Sequence, residues 1–453
     1  MSFLSSEKRF VRVGLGIFLV WFILGACISL SDWIGHETRR DFSRYSLAAS
    51  RTLFSGGDPY SREDAQTSYK YFPLNAVLLG PFTKVPDPVA QGFWTATNLM
   101  LLGACLWAHR KLWAKDLRVP WWVWGVALAV GLRFFVKNIR LGQWNTSVYC
   151  LSFLGLTAIW ACRERFGAWL VALSAALKYL PSFFVLYLAM RRKWKPAAWM
   201  IIAYLFWVLV FPTLVLGVER HTELLGRFYL RATKQYQGMT SPDYTSSHSL
   251  RSTLMRMTSE VKPRLPDPDV YDFTVITLPK EVAKRLSEVV AYAVLGLTIG
   301  ITLLVTRNET SSHTRVENAN VPDLGETSCD ANLLRELLLI GLWYTTLLMI
   351  SPETRQPHFL TLFTPAFALA LWLANVSVHP SVRKIVTVLV AAGIFFILTP
   401  SEIFHHARYH LIASGLGFYA WAQVAFWLAS ALAIVSMVQR FSHRSGNEMP
   451  ESG

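Results

Sequence analysis

The chain has 453 residues, of which 53% are hydrophobic and 16% charged, with a mean hydropathy of +0.33. A soluble domain of this length is far more polar, so a water-soluble enzyme or binding module is excluded. The formal charge of +15 sits in short clusters between apolar runs rather than on one soluble face. That pattern argues against a nucleic-acid partner and for anionic lipid headgroups, with a few cations left for a lipid-linked phosphate.

The first apolar run, Val11 to Leu30, follows Lys8, Arg9 and Arg12. It is too long for a signal-peptide core and no small-residue cleavage site follows it, so it reads as a retained first span. Further spans are expected at 89–108, 120–136, 145–162, 196–217, 286–305, 333–350, 359–376, 385–399 and 412–436. Phe166 to Met190 is apolar but interrupted by Lys178 and Pro181. Proline removes a backbone donor and clashes with the preceding turn, so this stretch reads as two half-spans meeting near Lys178. The expectation is an all-α polytopic membrane bundle of about twelve segments, one domain over residues 1–436.

Short-loop cations set the orientation. Lys8/Arg9/Arg12, His109-Arg110-Lys111 with Lys115 and Arg118, Arg163/Arg165, Arg191-Arg192-Lys193 with Lys195, Arg383-Lys384 and Arg440/Arg444 all fall on one side, the cytoplasmic one, only if 167–190 enters and returns. Both termini are then cytoplasmic, as expected for a multi-pass protein of a bacterial plasma (inner) membrane. The loop 31–88 with interfacial helices, the turn 137–144 and the loops 218–285, 351–358 and 400–411 lie outside. The polar stretch 306–332 reads as a flexible cytoplasmic linker and 437–453 as a disordered cytoplasmic tail. The five cysteines form no CxxC or CxxH spacing, which implies neither a disulfide framework nor a zinc site. No convincing carboxylate cluster is present either, so neither a metal nor a cofactor is expected.

Several polar residues stand where membrane chemistry makes them costly. Asp41 opens a helix-like segment that Gly56-Gly57-Asp58-Pro59 stops. There it is a general base for a sugar hydroxyl, or a helix cap and partner for Arg39, Arg40 or Arg44. Lys70, in the aromatic run Tyr69 to Phe72, meets a phosphate at headgroup depth or snorkels to the interface. Arg133, Lys137, Asn138, Arg140, Gln143 and Asn145 enter or flank an extracytoplasmic turn. Their cations suit a lipid phosphate or anionic headgroups. Lys178 is a lone lysine in an apolar hairpin, at a cost of roughly 2.5–3.5 kcal/mol on insertion scales, and reads as functional. In Ser351 to His358, both Arg355 and His358 suit a leaving phosphate; the alternative for His358 is a hydrogen-bonded residue at a helix start. Asp267-Pro268-Asp269 has the form of a metal-nucleotide motif but reads as a turn.

The ordered set Asp41-Phe42…Tyr45…Ala48-Ala49…Gly57-Asp58-Pro59-Tyr60, Tyr71-Phe72-Pro73-Leu74, Pro81, Trp94…Asn98, Gly142-Gln143-Trp144-Asn145, Ala176-Leu177-Lys178…Pro181, Lys193-Trp194 and Ser351-Pro352…His358 resembles glycosyltransferase family 87. These are polyprenyl-phosphate-mannose-dependent mannosyltransferases of GT-C fold. The resemblance implies an inverting, extracytoplasmic transfer of a hexose, mannose, from a polyprenyl-phosphate sugar to a glycolipid or glycan acceptor. Asp41 matches the family's first-loop catalytic aspartate and His358 the histidine after the Ser-Pro motif. Lys178 and the Gly142-Gln143 region match further family motifs. Phe72 stands where the family usually has proline, and Glu353 to Pro357 replaces its usual Trp and paired histidines. A transporter or flippase of a lipid-linked or anionic solute also accounts for the intramembrane cations, but leaves the first loop and its carboxylate without a role.

Overall fold

The computed structural model describes residues 40–60, 69–239, 247–260, 274–319, 327–400, 412–413 and 415–447. The expected first span at 11–30 and the Asp267-Pro268-Asp269 motif lie outside them. Among the described residues the fold is all α, with a lone bridge between Ser259 and Leu278.

Among the described residues, eight helices are long and apolar enough to cross a membrane. They are α3 (Asp87–Ala108), α4 (Trp121–Leu141), the pair α8 (Trp194–Leu205) and α9 (Phe211–Leu216) joined by a π turn, and α12 (Lys280–Ala319). The set continues with α13 (Thr327–Ile350), α14 (Phe363–Asn375), α15 (Pro380–Leu398) and α16 (Phe418–Asn447). Three shorter elements stand at other expected segments: α5 (Asn145–Trp160), α6 (Glu164–Leu177) and α7 (Phe184–Met190). α6 stops one residue before Lys178, whose backbone is extended, and a short 3-10 turn, Leu180–Phe183, carries Pro181 at its start. This is the break that proline and its preceding residue demand.

Burial separates core from periphery. In the apolar windows of α13 and of the span that includes α14, 89% and 78% of residues are buried; in α8–α9 and in α15 only 22% are. The outer helices therefore present their apolar faces to lipid, as a bilayer-spanning bundle requires. The inner ones are joined by polar contacts that no lipid can supply. The Trp427 indole N–H reaches Thr298 and Thr346, at 3.0 and 3.1 Å, and the Trp343 indole reaches Thr302 at 3.1 Å. α5 and α6 touch through Gly155 and Gly167, where an added Cβ would lie 2.7 and 2.4 Å from the other glycine's carbonyl oxygen. Small residues are what allow backbones to approach so closely in a membrane.

Helix extends into three stretches read from the sequence as linker, tail or loop. In 306–332, α12 continues to Ala319 and α13 starts at Thr327. The first turn of that stretch is held because Thr306 and Glu309 accept hydrogen bonds from Arg191. In the tail, α16 runs on to Asn447, with Met437 and Val438 buried. Among its described residues, the loop 218–285 holds α10 (Val218–Met239), α11 (Leu250–Thr258) and the first residues of α12. Before α3, the first loop folds into α1 (Arg40–Ser50) and α2 (Pro73–Leu79). α10 clasps that loop: Arg227 pairs with Asp58 at 2.6 Å, and Arg220 donates to Gly57 O at 2.5 Å.

Candidate active site

The ends of several elements meet at one end of the bundle. Gly142 closes α4 in the left-handed conformation (φ 69°) that glycine adopts without strain. The chain then turns so that Gln143 and Asn145 face the start of α1. The Gln143 amide nitrogen donates to Asp41 Oδ2 at 2.5 Å, and its oxygen accepts from Asn145 Nδ2 at 2.7 Å. Asn145 Oδ1 in turn accepts from Lys178 Nζ. Lys178 Nζ stands 2.7 Å from His358 Nε2. Five polar side chains from the first loop, the α4–α5 turn, the α6–α7 hairpin and the segment before α14 thus form one continuous chain.

The supports of this chain are buried. Asn138 donates to Pro357 O at 2.7 Å and accepts from Asn145 at 2.8 Å, so it ties the His358 segment to α4. Asn75 on α2 donates to Leu177 O at 3.2 Å, and Ser174 Oγ donates to Val148 O at 2.7 Å. Both pin the hairpin apex beside Lys178. Asn138, a buried amide with partners at both ends, holds its position firmly, because an unmade bond there costs about 1–3 kcal/mol.

The Lys178–His358 contact carries a single hydrogen between its nitrogens. His358 Nδ1 also accepts, weakly, from the Arg355 backbone N–H at 3.3 Å. A neutral imidazole carries one N–H, so when Nδ1 accepts, Nε2 donates to Lys178; when a charged Lys178 donates, the hydrogen moves to Nδ1. A pair of this kind takes on more positive charge when an anion arrives.

A second group of charges adjoins the first. Arg355 Nε donates to Glu353 Oε1 at 2.6 Å, and Lys70 Nζ lies 3.8 Å from the same oxygen. Burial lowers the Lys70 pKa, and the charge of Glu353 partly offsets that. Tyr71 beside it is pushed up to about 12, first by burial. Its hydroxyl meets that of Tyr45 at 3.0 Å. Asp41 also faces Arg44, at 3.5 Å.

Of the residues expected at the site, Arg133 stands elsewhere. Arg133 donates to Ile397 O at 3.2 Å and to the Tyr419 hydroxyl, and lies against the rings of Phe134 and Tyr419. It joins α4 to α15 and α16. Arg140 is exposed on the last turn of α4. Lys137 reaches Gln356. Sequence reasoning overlooked Glu353 as a site residue; its signal was an acid between the Ser-Pro motif and Arg355. It also overlooked Asn75 and the Tyr45–Tyr71 pair, which no spacing reveals. Among the described residues no group of three or more His, Cys, Asp or Glu is placed to hold a metal ion.

No solved structure matches the chain. A curated relative, the polyprenol-phosphate-mannose-dependent alpha-(1-2)-phosphatidylinositol mannoside mannosyltransferase of Mycobacterium tuberculosis, is 27% identical over 212 residues. That match covers 40% of this chain and 47% of the relative, so it spans about half of the relative's length. The model of glycosyltransferase family 87 matches residues 69–315, a stretch that includes Lys70, Gln143, Asn145 and Lys178 but neither Asp41 nor His358. With more than half of its length matched, the chain belongs to glycosyltransferase family 87.

Proposed function

We propose that this protein transfers a hexose, mannose, from a polyprenyl-phosphate sugar to a glycolipid or glycan acceptor. The transfer takes place on the extracytoplasmic side of the membrane and inverts the anomeric centre. The observation that carries this reading is the hydrogen-bonded chain from Asp41 to His358, which sets a carboxylate at one end and cationic groups at the other. Family membership and the printed activity of the mannosyltransferase relative support it.

The chemistry follows from this polarity. The acceptor hydroxyl oxygen attacks the anomeric carbon, and Asp41 takes its proton. The bond from that carbon to the phosphate oxygen breaks, and the phosphate leaves with the electron pair. Lys178, with His358, Lys70 and Arg355, receives the developing charge, an electrostatic role that needs no strong general acid. One displacement inverts the centre; a retaining route would need a second carboxylate as nucleophile on the sugar's other face. Gln143 and Asn145 act as positioning residues that hold Asp41 and Lys178 at a fixed separation. All five groups stand at or just beyond the ends of helices, at one end of the bundle. That placement favours a transferase over a transporter, whose site lies near the bilayer midplane between repeats.

The test is Asp41→Asn in purified protein, given a polyprenyl-phosphate mannose and a glycolipid acceptor. Turnover is expected to fall by about a hundredfold or more, in line with loss of a general base. Near-normal turnover would remove Asp41 from that role.

A further inference from the structure

Glu353 stands among the cations of the donor-phosphate site just proposed, and the role argued for it rests on that reading. Glu353 lies in the loop between α13 and the 3-10 turn that carries His358. Its backbone is fixed from behind by the segment that leads into α11. The His248 N–H donates to Thr354 O at 2.6 Å, the Thr354 N–H donates to Ser247 Oγ at 3.1 Å, and Ser252 Oγ donates to Pro352 O at 3.1 Å. Ser247, Ser252 and Thr354 are all buried. Within the loop, Ser351 Oγ donates to the Glu353 carbonyl at 2.9 Å. A side chain on so constrained a backbone has few places to go.

The place it takes is among cations. The Glu353 side chain is 13% exposed, with Oε1 2.6 Å from Arg355 Nε and 3.8 Å from Lys70 Nζ. An anion at this point neutralises cations that would otherwise repel one another in a partly dry site. It also occupies the ground that a donor phosphate needs. We propose that Glu353 is the resident counter-anion of the donor-phosphate site: it holds Lys70 and Arg355 until the donor's phosphate takes them over, and so sets donor affinity. The phosphate gains charge-assisted hydrogen bonds from the released cations. Against that stand the broken Glu353 pair and the repulsion between two anions.

Glu353→Gln keeps an oxygen for Arg355 Nε and removes the charge; Glu353→Asp keeps the charge. The full chain is placed in phosphatidylcholine nanodiscs at low ionic strength, and binding of farnesyl phosphate is measured by calorimetry. Glu353→Gln is expected to bind about five- to tenfold more tightly than wild type, with the gap narrowing as salt screens the charges. Glu353→Asp is expected to stay within about twofold of wild type. Equal or weaker binding by Glu353→Gln would overturn the proposal and leave Glu353 a holder of its loop. So would a tightening shared by both variants, which would trace to the loop and not to the charge. Failure of the donor reading looks different: neither wild type nor Glu353→Gln would bind farnesyl phosphate at any salt concentration.

Discussion

Lys178 and Arg191 flank the same short return segment, 179–190, and their surroundings differ in kind. Arg191 is 2% exposed in its side chain and faces Glu336, which is 3% exposed. It also donates to Glu309 and Thr306, both at 2.6 Å, while Arg335 pairs with Glu309 and Tyr187 donates to Glu336 at 2.7 Å. Two arginines and two glutamates balance, and the knot fastens α7 to α12 and α13. At the other end, Lys178, Lys70 and Arg355 meet the carboxylates Glu353 and Asp41, with His358 among them. Among the described residues cations outnumber acids, and an amide and an imidazole rather than counter-charges hold the lysine. A buried charge with matched partners is a fastening; a cluster with cations in excess is prepared for an anion from outside.

Lys178→Ala draws that distinction most sharply. It removes the hydrogen bonds to Asn145 and His358 and the positive charge facing the leaving group. Donor kcat/KM is expected to fall about ten- to a hundredfold, the worth of one or two charge-assisted bonds. The thermal unfolding midpoint should move little, because losing a desolvated, uncompensated charge offsets the lost contacts. A large drop in midpoint with unchanged kcat/KM in the surviving protein would make Lys178 a fastening like Arg191.

Glu336→Gln tests the other end. It leaves Arg191 short of charge in a buried setting, which costs about 3–5 kcal/mol. Thermal unfolding in detergent should show that loss, while kcat of the folded fraction stays within about twofold of wild type. Replacing both partners, Arg191→Met with Glu336→Leu, should recover most of the stability. An activity defect that persists in the double variant would mean that the knot communicates with the site.

The smallest effect expected is in the pH profile. Burial holds Lys70 below its ordinary range, and the protonated amine is the form that attracts a phosphate. As pH rises through that lowered value Lys70 loses its proton, and donor KM should climb. Lys70→Arg keeps its charge throughout and should flatten the alkaline limb. An unchanged limb in that variant would assign it to another group. The Arg191 knot pairs its acids with guanidiniums, so stability should not follow the same curve.

Much of this was legible because membranes make sequence errors expensive. Apolar runs of sufficient length, Pro181 beside Lys178, and cations recurring between spans located the helices and the break between α6 and α7. The charge cost of Lys178 marked it before any fold was known. Arg133 was marked by the same rule, yet its partners, Ile397 and Tyr419, lie 264 and 286 residues away. In the sequence Arg191 is one of the short-loop cations that set the orientation; its acid, Glu336, is 145 residues further on. The stretch 306–332 looked like a linker because its polar residues gave no periodic apolar face, and only a distant arginine fills that need. Glu353 escaped notice for the same reason: an acid is ordinary in a loop until the loop is placed among Lys70, Arg355 and Lys178.

By itself, the sequence determined that the solvent of this protein is a membrane, and it marked the few residues whose burial requires a reason. Hydropathy and proline act locally, so they can be read locally. The tertiary structure alone decided which costly residues face one another. It drew Asp41, Gln143, Asn145, Lys178 and His358 into one chain and sent Arg133 to the bundle wall. Pairing between charges depends on distance in space, and helix packing sets that distance through contacts such as Gly155 against Gly167, far from the residues that it brings together.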